Sequence, residues 1–179
     1  MIKIALCGSP GSGKSTTAAH AFVLMKQKYI NVDYVHEYVR EEINKGWKPN
    51  HMAEQFRILK HQREREDTLP ENLEFMITDS PLFLIYYYAI VNTEKPCEDR
   101  FTLVSLYEDF IQDLQRYDYI FFMVRDKPYV VDGTRYQTEA EADAIHVQLK
   151  ALLDLHKIDY TEVRGNSDAA EFILDLVGV

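Results

Sequence analysis

Short apolar runs alternate along this chain with longer amphipathic segments. Five runs have the length and the β-branched or aromatic content of strands, namely residues 2–6, 32–36, 74–78, 119–124 and 160–163. Seven segments have helical spacing, namely residues 16–28, 38–45, 52–69, 82–91, 101–116, 138–156 and 168–177. This alternation favours right-handed crossovers between parallel strands. We therefore predict a three-layer α/β fold in which helices cover both faces of a five-stranded parallel sheet.

Two segments do not fit simple packing of helices on that sheet. In the helix predicted at 52–69, the far half (residues 61–67) is almost wholly charged, so we expect this helix to stand partly off the sheet. Residues 125–137 directly follow the fourth strand and contain Gly133 and three cations. Because ligands of open parallel sheets bind beyond the carboxyl ends of the strands, this segment is predicted to be a lid.

Length and composition limit the classes of protein to consider. A chain of 179 residues with 46% hydrophobic content predicts one domain, residues 1–179, with a proper core. Its formal charge of −9 gives no general attraction for nucleic acid or anionic membranes. Cys7 and Cys97 indicate no disulfide framework, and Cys7 is interpreted as a small buried residue. With neither a long apolar stretch nor a recognisable signal peptide, we expect a cytoplasmic protein.

The loop after the first strand fits the phosphate-binding pattern G-x-x-x-x-G-K-[ST], and a helical segment follows it. The loop and the next residue read Gly8, Ser9, Pro10, Gly11, Ser12, Gly13, Lys14, Ser15 and Thr16. Glycines let main-chain N–H groups turn inward around a polyphosphate, and the helix adds its positive N-terminal end. Lys14 is the candidate for the β- and γ-phosphates, and Ser15 for Mg²⁺. The motif predicts that the chain binds a nucleoside triphosphate, with ATP and Mg²⁺ as cofactors.

Two acidic residues follow the second and third strands and are candidates for the chemistry. Asp79 is assigned mainly to the Mg²⁺ shell, and Glu37 to the acceptor hydroxyl as a base, although the two roles can be exchanged. The plainer interpretation of Asp79 is a cap on the next helix, a role that can coexist with metal binding, and that of Glu37 is a solvated acid in a first turn. Arg40 lies one turn after Glu37 and is a candidate to bind an anionic group of the acceptor, or to pair with Glu37.

The lid segment supplies candidate cations for the transferring phosphoryl group. We assign this role to Arg125 and Arg135, because arginines on a closing lid stabilise charge on the equatorial oxygens and exclude water. The plainer interpretation of each is a solvated loop arginine. The run Tyr86–Tyr88 lies just beyond Asp79 and offers rings for an acceptor pocket, although core packing is expected for at least one of them.

The surroundings of the phosphate-binding loop favour a kinase over a motor or a regulatory GTPase. Hydrolytic AAA-type motors usually place a glutamate after the aspartate of the third strand, whereas Ser80 and Pro81 follow Asp79 here. The chain also lacks the guanine-reading N-K-x-D motif. An arginine-bearing lid instead suits transfer to an acceptor. The alternative from another class is a nucleotide-dependent regulatory or hydrolytic ATPase that has no acceptor.

Four elements together resemble the P-loop kinase group that contains the nicotinamide riboside kinase domain of bacterial NAD regulators. They are the phosphate-binding loop, Glu37-Tyr38-Val39-Arg40, Thr78-Asp79-Ser80-Pro81 and Asp132-Gly133-Thr134-Arg135. More widely, the chain resembles nucleoside and nucleotide kinases. The resemblance implies a P-loop NTPase fold and transfer of the ATP γ-phosphate, with Mg²⁺, to a sugar or nucleotide hydroxyl.

The resemblance leaves the acceptor open. Members often carry an arginine in the first turn of the last helix, where this chain has Asp168-Ala169-Ala170-Glu171. A small nucleoside or nucleotide is the expected partner, and hydroxymethyluracil in DNA, the acceptor of related phage-type kinases, is the alternative. A choice between ATP and GTP and the presence of a homodimer are open as well.

Overall fold

A computed structural model describes residues 1–47, 52–91, 100–130 and 137–179, which form five strands and seven helices. The strands are β1 (Ile2–Cys7), β2 (Val32–Val35), β3 (Phe75–Thr78), β4 (Tyr119–Val124) and β5 (Thr161–Arg164). The helices are α1 (Lys14–Gln27), α2 (Tyr38–Asn44), α3 (Met52–Asp67), α4 (Leu82–Val91), α5 (Arg100–Leu114), α6 (Glu139–Leu155) and α7 (Ala169–Val177). Each element predicted from the sequence is present, with ends shifted by a few residues.

The five strands form one sheet in the order β2-β3-β1-β4-β5, and every neighbouring pair is parallel. This arrangement confirms the predicted α/β fold class. It places the carboxyl ends of β2, β3, β1 and β4 side by side along one edge of the sheet. The segments that follow these four strands therefore meet there, as expected for a ligand site of an open parallel sheet.

The buried strands point alternate side chains into two apolar cores, one on each face of the sheet. In β1, Ala5 and Cys7 belong to one core, and Ile4 and Leu6 to the other. The first core contains residues of α3, α4, α5 and α6, and the second contains residues of α1 and α7. Because both faces are covered, the central strands read in the sequence as continuous apolar runs.

Helix α3 packs against α4 and α2. Its charged half is less solvated than the sequence indicates, because Gln62 and Glu66 are completely enclosed, at 0% and 1% exposure. The charged half that the sequence places partly off the sheet therefore contains two fully buried polar residues.

The predicted lid is described only in part. Residues 125–130 follow β4 without forming a helix or strand, and the predicted lid residues 131–136, Arg135 among them, lie outside the described residues. Within the described ranges, none of the helices has the length and apolar character needed to cross a membrane. Cys7 is a free, buried thiol, and burial raises its pKa to about 12, which fits a packing role.

Candidate active site

The phosphate-binding loop connects β1 to α1 in a conformation that depends on glycine. Gly13 immediately precedes α1 with φ 94°, a left-handed value that residues with a side chain rarely adopt. Gly8 leaves β1 with φ 141°, and a Cβ atom there would lie 2.6 Å from the carbonyl oxygen of Met123 in β4. The loop is thereby packed against the neighbouring strand, with Ser15 and Thr16 in the first turn of α1.

Lys14 folds back over this loop. Its Nζ donates hydrogen bonds to the carbonyl oxygens of Gly8 at 2.9 Å and Ser9 at 3.0 Å. Removal from water lowers the pKa of the ammonium, while the nearby carboxylates of Glu37 and Asp79 raise it. These interactions mean that the loop cation and the two predicted acids share one electrostatic environment, at the ends of β1, β2 and β3.

Asp79 directly follows β3 and is 3% exposed. Its Oδ1 is buried and has no hydrogen-bond partner among the described residues. The first amide of α4, that of Leu82, instead donates to the Tyr117 hydroxyl at 2.9 Å. A buried carboxylate oxygen without a partner is costly unless a ligand satisfies it, so this geometry fits a cation-binding role better than a helix cap.

Glu37 is the residue before α2, and its side chain makes no capping hydrogen bond to that helix. Its Oε2 lies 3.7 Å from Nε of Arg40, as the spacing of three residues predicts. Burial raises the pKa of Glu37, Lys14 lowers it, Asp79 raises it and Arg40 lowers it, with a net rise. A carboxyl group whose pKa is raised by burial, beside a lysine, suits a role in proton transfer.

The oxygen atoms at the site can be compared with the ligands that Mg²⁺ requires. The ion takes one or two protein oxygens together with waters and substrate phosphates. Ser15, in the first turn of α1, and the unpartnered oxygen of Asp79 fit that requirement. A cluster of three or more His, Cys, Asp or Glu side chains that could hold a metal is not found in the described parts of the chain.

Arg125 follows β4 and is oriented by helix α6. Its Nη2 is 2.5 Å from Oδ1 of Asp143 and 3.4 Å from Oε1 of Glu139, while Nη1 is buried without a partner among the described residues. The guanidinium also lies 5.4 Å from the ring centre of Tyr129. Arg125 is thus oriented by α6, and its Nη1 group has no hydrogen-bond partner among the described residues.

The three consecutive tyrosines of α4 divide between the core and the site. Tyr86 stacks on Phe110 with ring centres 4.1 Å apart, and Tyr87 donates to Oε1 of Gln148 at 2.6 Å. Tyr88 is only partly buried, and both burial and the Glu37 carboxylate raise its pKa. Of the three tyrosines, Tyr88 is therefore the one that is electrostatically coupled to Glu37.

Tyr129 and Tyr34 were not among the residues predicted for the site from the sequence, and Gly165 was noted there only as part of a loop that could lie against a purine base. The Tyr129 ring packs on Gly11, where a Cβ atom would be 3.1 Å away, and its hydroxyl donates to the carbonyl oxygen of Gln137 at 2.7 Å. A Cβ atom on Gly165, after β5, would collide with the carbonyl oxygen of Ser12. Tyr34 in β2 has its pKa raised by burial and by Asp79. For Tyr129 and Tyr34, the local sequence offered no comparable signal.

Comparisons with known proteins bear on the family and the fold. The family model AAA_28, an AAA domain, matches residues 3–169. Among curated proteins, none matches this chain. Similar solved structures include a NadR protein in complex with NR, with 22% identity and a TM-score of 0.74. That match covers 99% of this chain and 52% of the NadR chain, so this chain spans about half of its length.

Two further solved structures match over nearly their whole length. Deoxyadenosine kinase from M. mycoides is 17% identical with a TM-score of 0.57, and the match covers 99% of this chain and 98% of that chain. Thymidylate kinase from Ehrlichia chaffeensis is 16% identical with a TM-score of 0.62, covering 99% and 97% respectively. At these identities the likeness establishes the fold, and it confirms the resemblance to P-loop nucleoside and nucleotide kinases at that level.

Proposed function

This chain belongs to the AAA domain family, and from that premise we propose that it is an ATP- and Mg²⁺-dependent kinase. The acceptor is a hydroxyl group of a small nucleoside- or nucleotide-like molecule. The observation that carries the proposal is the meeting of Lys14, Glu37 and Asp79 at the ends of three neighbouring strands. A phosphate-binding cation, a base and a metal ligand are the parts that phosphoryl transfer requires.

Each of these residues has a separate role in the proposed phosphoryl transfer. The main-chain N–H groups of the loop and the Lys14 ammonium bind the β- and γ-phosphates. Ser15 and Asp79 hold Mg²⁺, which when bound neutralises charge on the phosphates. Glu37 accepts the proton of the acceptor hydroxyl, whose oxygen forms a bond to the γ-phosphorus. The bond from that phosphorus to the bridging oxygen breaks, and ADP leaves with the electron pair.

Other residues bind and enclose the reactants. The free Nη1 group of Arg125 supports a contact with phosphate, since Asp143 and Glu139 fix the orientation of the rest of the guanidinium. Arg135 keeps its proposed role as a second lid cation. Tyr88, whose pKa the Glu37 carboxylate raises, supplies an aromatic surface for the acceptor. Arg40 supplies a cation for any anionic group that the acceptor carries.

The turn after β3 favours a kinase over a hydrolytic ATPase. Hydrolysis needs a side chain that polarises water, and the residues after Asp79 are Ser80, which is 3% exposed, and Pro81. The overall charge of −9 favours a small acceptor over DNA, because a polymer of phosphates gains nothing from an acidic surface.

Incubation with γ-labelled ATP and Mg²⁺ tests the proposal. The acceptor panel contains nucleosides, nucleoside monophosphates, nicotinamide riboside and a hydroxymethyluracil-containing DNA oligomer, with GTP as the alternative donor. We expect label on a small acceptor, at a rate that depends on its concentration. Release of free phosphate that is independent of every acceptor would instead identify an ATPase, and label on the oligomer would identify a DNA kinase.

A further inference from the structure

We propose that helix α3 is a positioning element that fixes both candidate carboxylates of the site, Glu37 through Gln62 and Asp79 through Glu66. Gln62 and Glu66 are four residues apart and therefore share one face of the helix. Within the charged half of α3, residues 61–67, these two side chains are the ones that are fully buried. The inference rests on the proposed kinase function, because it assigns these residues a task in the same site.

Gln62 holds the peptide groups on both sides of Glu37. Its Oε1 accepts a hydrogen bond from the Tyr38 amide at 2.8 Å, and its Nε2 donates to the His36 carbonyl oxygen at 3.4 Å. Arg65, one turn later, donates to the same carbonyl oxygen at 3.4 Å. The backbone that carries the Glu37 carboxylate is thus held from α3 on both flanks.

Glu66 acts on the other carboxylate through a relay. Its Oε1 accepts a hydrogen bond from the Tyr117 hydroxyl at 2.9 Å, and that hydroxyl in turn accepts from the Leu82 amide at 2.9 Å. Leu82 begins α4, three residues after Asp79, so the relay fixes the turn on which Asp79 sits. Arg116 donates to Oε2 of Glu66 at 2.7 Å and compensates its buried charge.

The neighbouring residue Arg63 shows what a purely structural role on the same helix looks like. Its guanidinium lies 2.8 Å from Oδ2 of Asp113 and 3.5 Å from Oδ1 of Asp109, both in α5. These pairs join α3 to α5 without contacting either strand end. Arg63 therefore offers a matched control, since its loss weakens the attachment of α3 and leaves both turns with their own hydrogen bonds.

The test compares kinetics of Q62M, E66Q, Y117F and R63Q at a temperature where circular dichroism shows all of them folded. Loss of a supporting contact behind a catalytic group typically costs about 10- to 100-fold in activity or metal affinity. For Q62M we expect kcat/KM for the acceptor to fall about tenfold or more, with KM for ATP within about twofold of wild type.

For E66Q and Y117F, the Mg²⁺ concentration at half-maximal rate should rise several-fold. For R63Q, the Tm should fall while both kinetic quantities stay unchanged.

If Q62M does not fold, Q62E replaces it, because a carboxylate keeps the acceptor for the Tyr38 amide and loses the donor to His36. The acceptor-specific loss should then be smaller and in the same direction. Wild-type acceptor kinetics in both variants, or the same kinetic split in R63Q, would overturn the proposal.

Amide hydrogen exchange separates this inference from the proposed function. The Tyr38 amide should exchange faster in Q62M, and the Leu82 amide faster in Y117F, whether or not the protein transfers phosphate. Wild-type exchange rates at these two amides would disprove the positioning role even in an active kinase. An inactive wild-type protein with the expected exchange changes would instead count against the kinase assignment alone.

Discussion

The carboxyl group of Glu37 is subject to opposing influences that decide when it can accept a proton. Burial and the Asp79 carboxylate raise its pKa from the ordinary value of 4.5, while Lys14 and Arg40 lower it, and the net change is upward. A general base works only when it is deprotonated. As the pH falls, Glu37 becomes protonated at a higher pH than an ordinary glutamate. The transfer rate should therefore begin to fall at that higher pH.

Replacing Glu37 with glutamine tests this assignment. E37Q keeps the shape of the side chain, so we expect ATP to bind as in wild type while the transfer rate falls about 10²- to 10⁴-fold. The fall in rate at low pH, which the wild-type profile should show, should be absent in E37Q. E41Q, in the first turn of α2, is the matched control, because Arg65 and His36 hold the pKa of Glu41 down at about 2. An E37Q profile with the wild-type acid limb would place the base elsewhere.

At the scale of the elements, the loop after β5 contacts the phosphate-binding loop, although the two loops are far apart in the sequence. A side chain at Gly165 would collide with the Ser12 carbonyl oxygen, and a Cβ atom on Gly13 would lie 3.2 Å from the Gly165 Cα atom. Since main-chain atoms are on both sides of this contact, neither loop can give way by a simple change of rotamer.

The substitution G165A should therefore weaken nucleotide binding by displacing the phosphate-binding loop. We expect affinity for Mg²⁺-ATP, measured by calorimetry, to fall about tenfold or more, together with a loss of stability of about 1–3 kcal/mol typical of overpacking. G178A is the control, because Gly178 has φ 79° and nothing lies within 4 Å of its added Cβ. G178A should lower the Tm through backbone strain and leave the affinity unchanged. Equal affinities in the two variants would contradict this coupling.

For the molecule as a whole, folding and ligand binding are linked when the ligand binds only the folded chain. At about 100 times its Kd, Mg²⁺-ATP should add about 2.7 kcal/mol of stability. In a chain of this size that corresponds to a rise in Tm of about 5–10 °C. K14M should abolish the rise in a thermal melt, and K28M, at the exposed end of α1, should keep it. An unchanged shift in K14M would remove Lys14 from the phosphate site.

Much of the molecule can be predicted from the sequence because local patterns determine it. The parallel sheet is indicated by apolar runs that alternate with helical spacing, and the phosphate-binding loop by eight consecutive residues. The positions of Glu37 and Asp79 are indicated by strand ends that share one edge of the sheet. The domain extent and the individual site roles stay predictions.

The features that the sequence did not reveal depend on partners that are far away along the chain. Glu66 belongs to a stretch of seven residues that is almost wholly charged, and its burial requires Arg116 and Tyr117. The ring of Tyr129 on the phosphate-binding loop depends similarly on how the chain returns after β4. Such contacts leave no local pattern in the sequence. The residues that neutralise or cover a buried side chain come from other parts of the chain.

The contact between Gly165 and the phosphate-binding loop also has a consequence for biosynthesis. During synthesis, the nucleotide-binding motif is made about 150 residues before Gly165, the residue that packs against it. An emerging chain therefore carries the motif without the framework that holds it, and we expect ATP capture to begin only once β5 has left the exit tunnel and docked beside β4. Cellular nucleotide would then stabilise this part of the chain only after its sheet has assembled, and would not act as a template for its early folding.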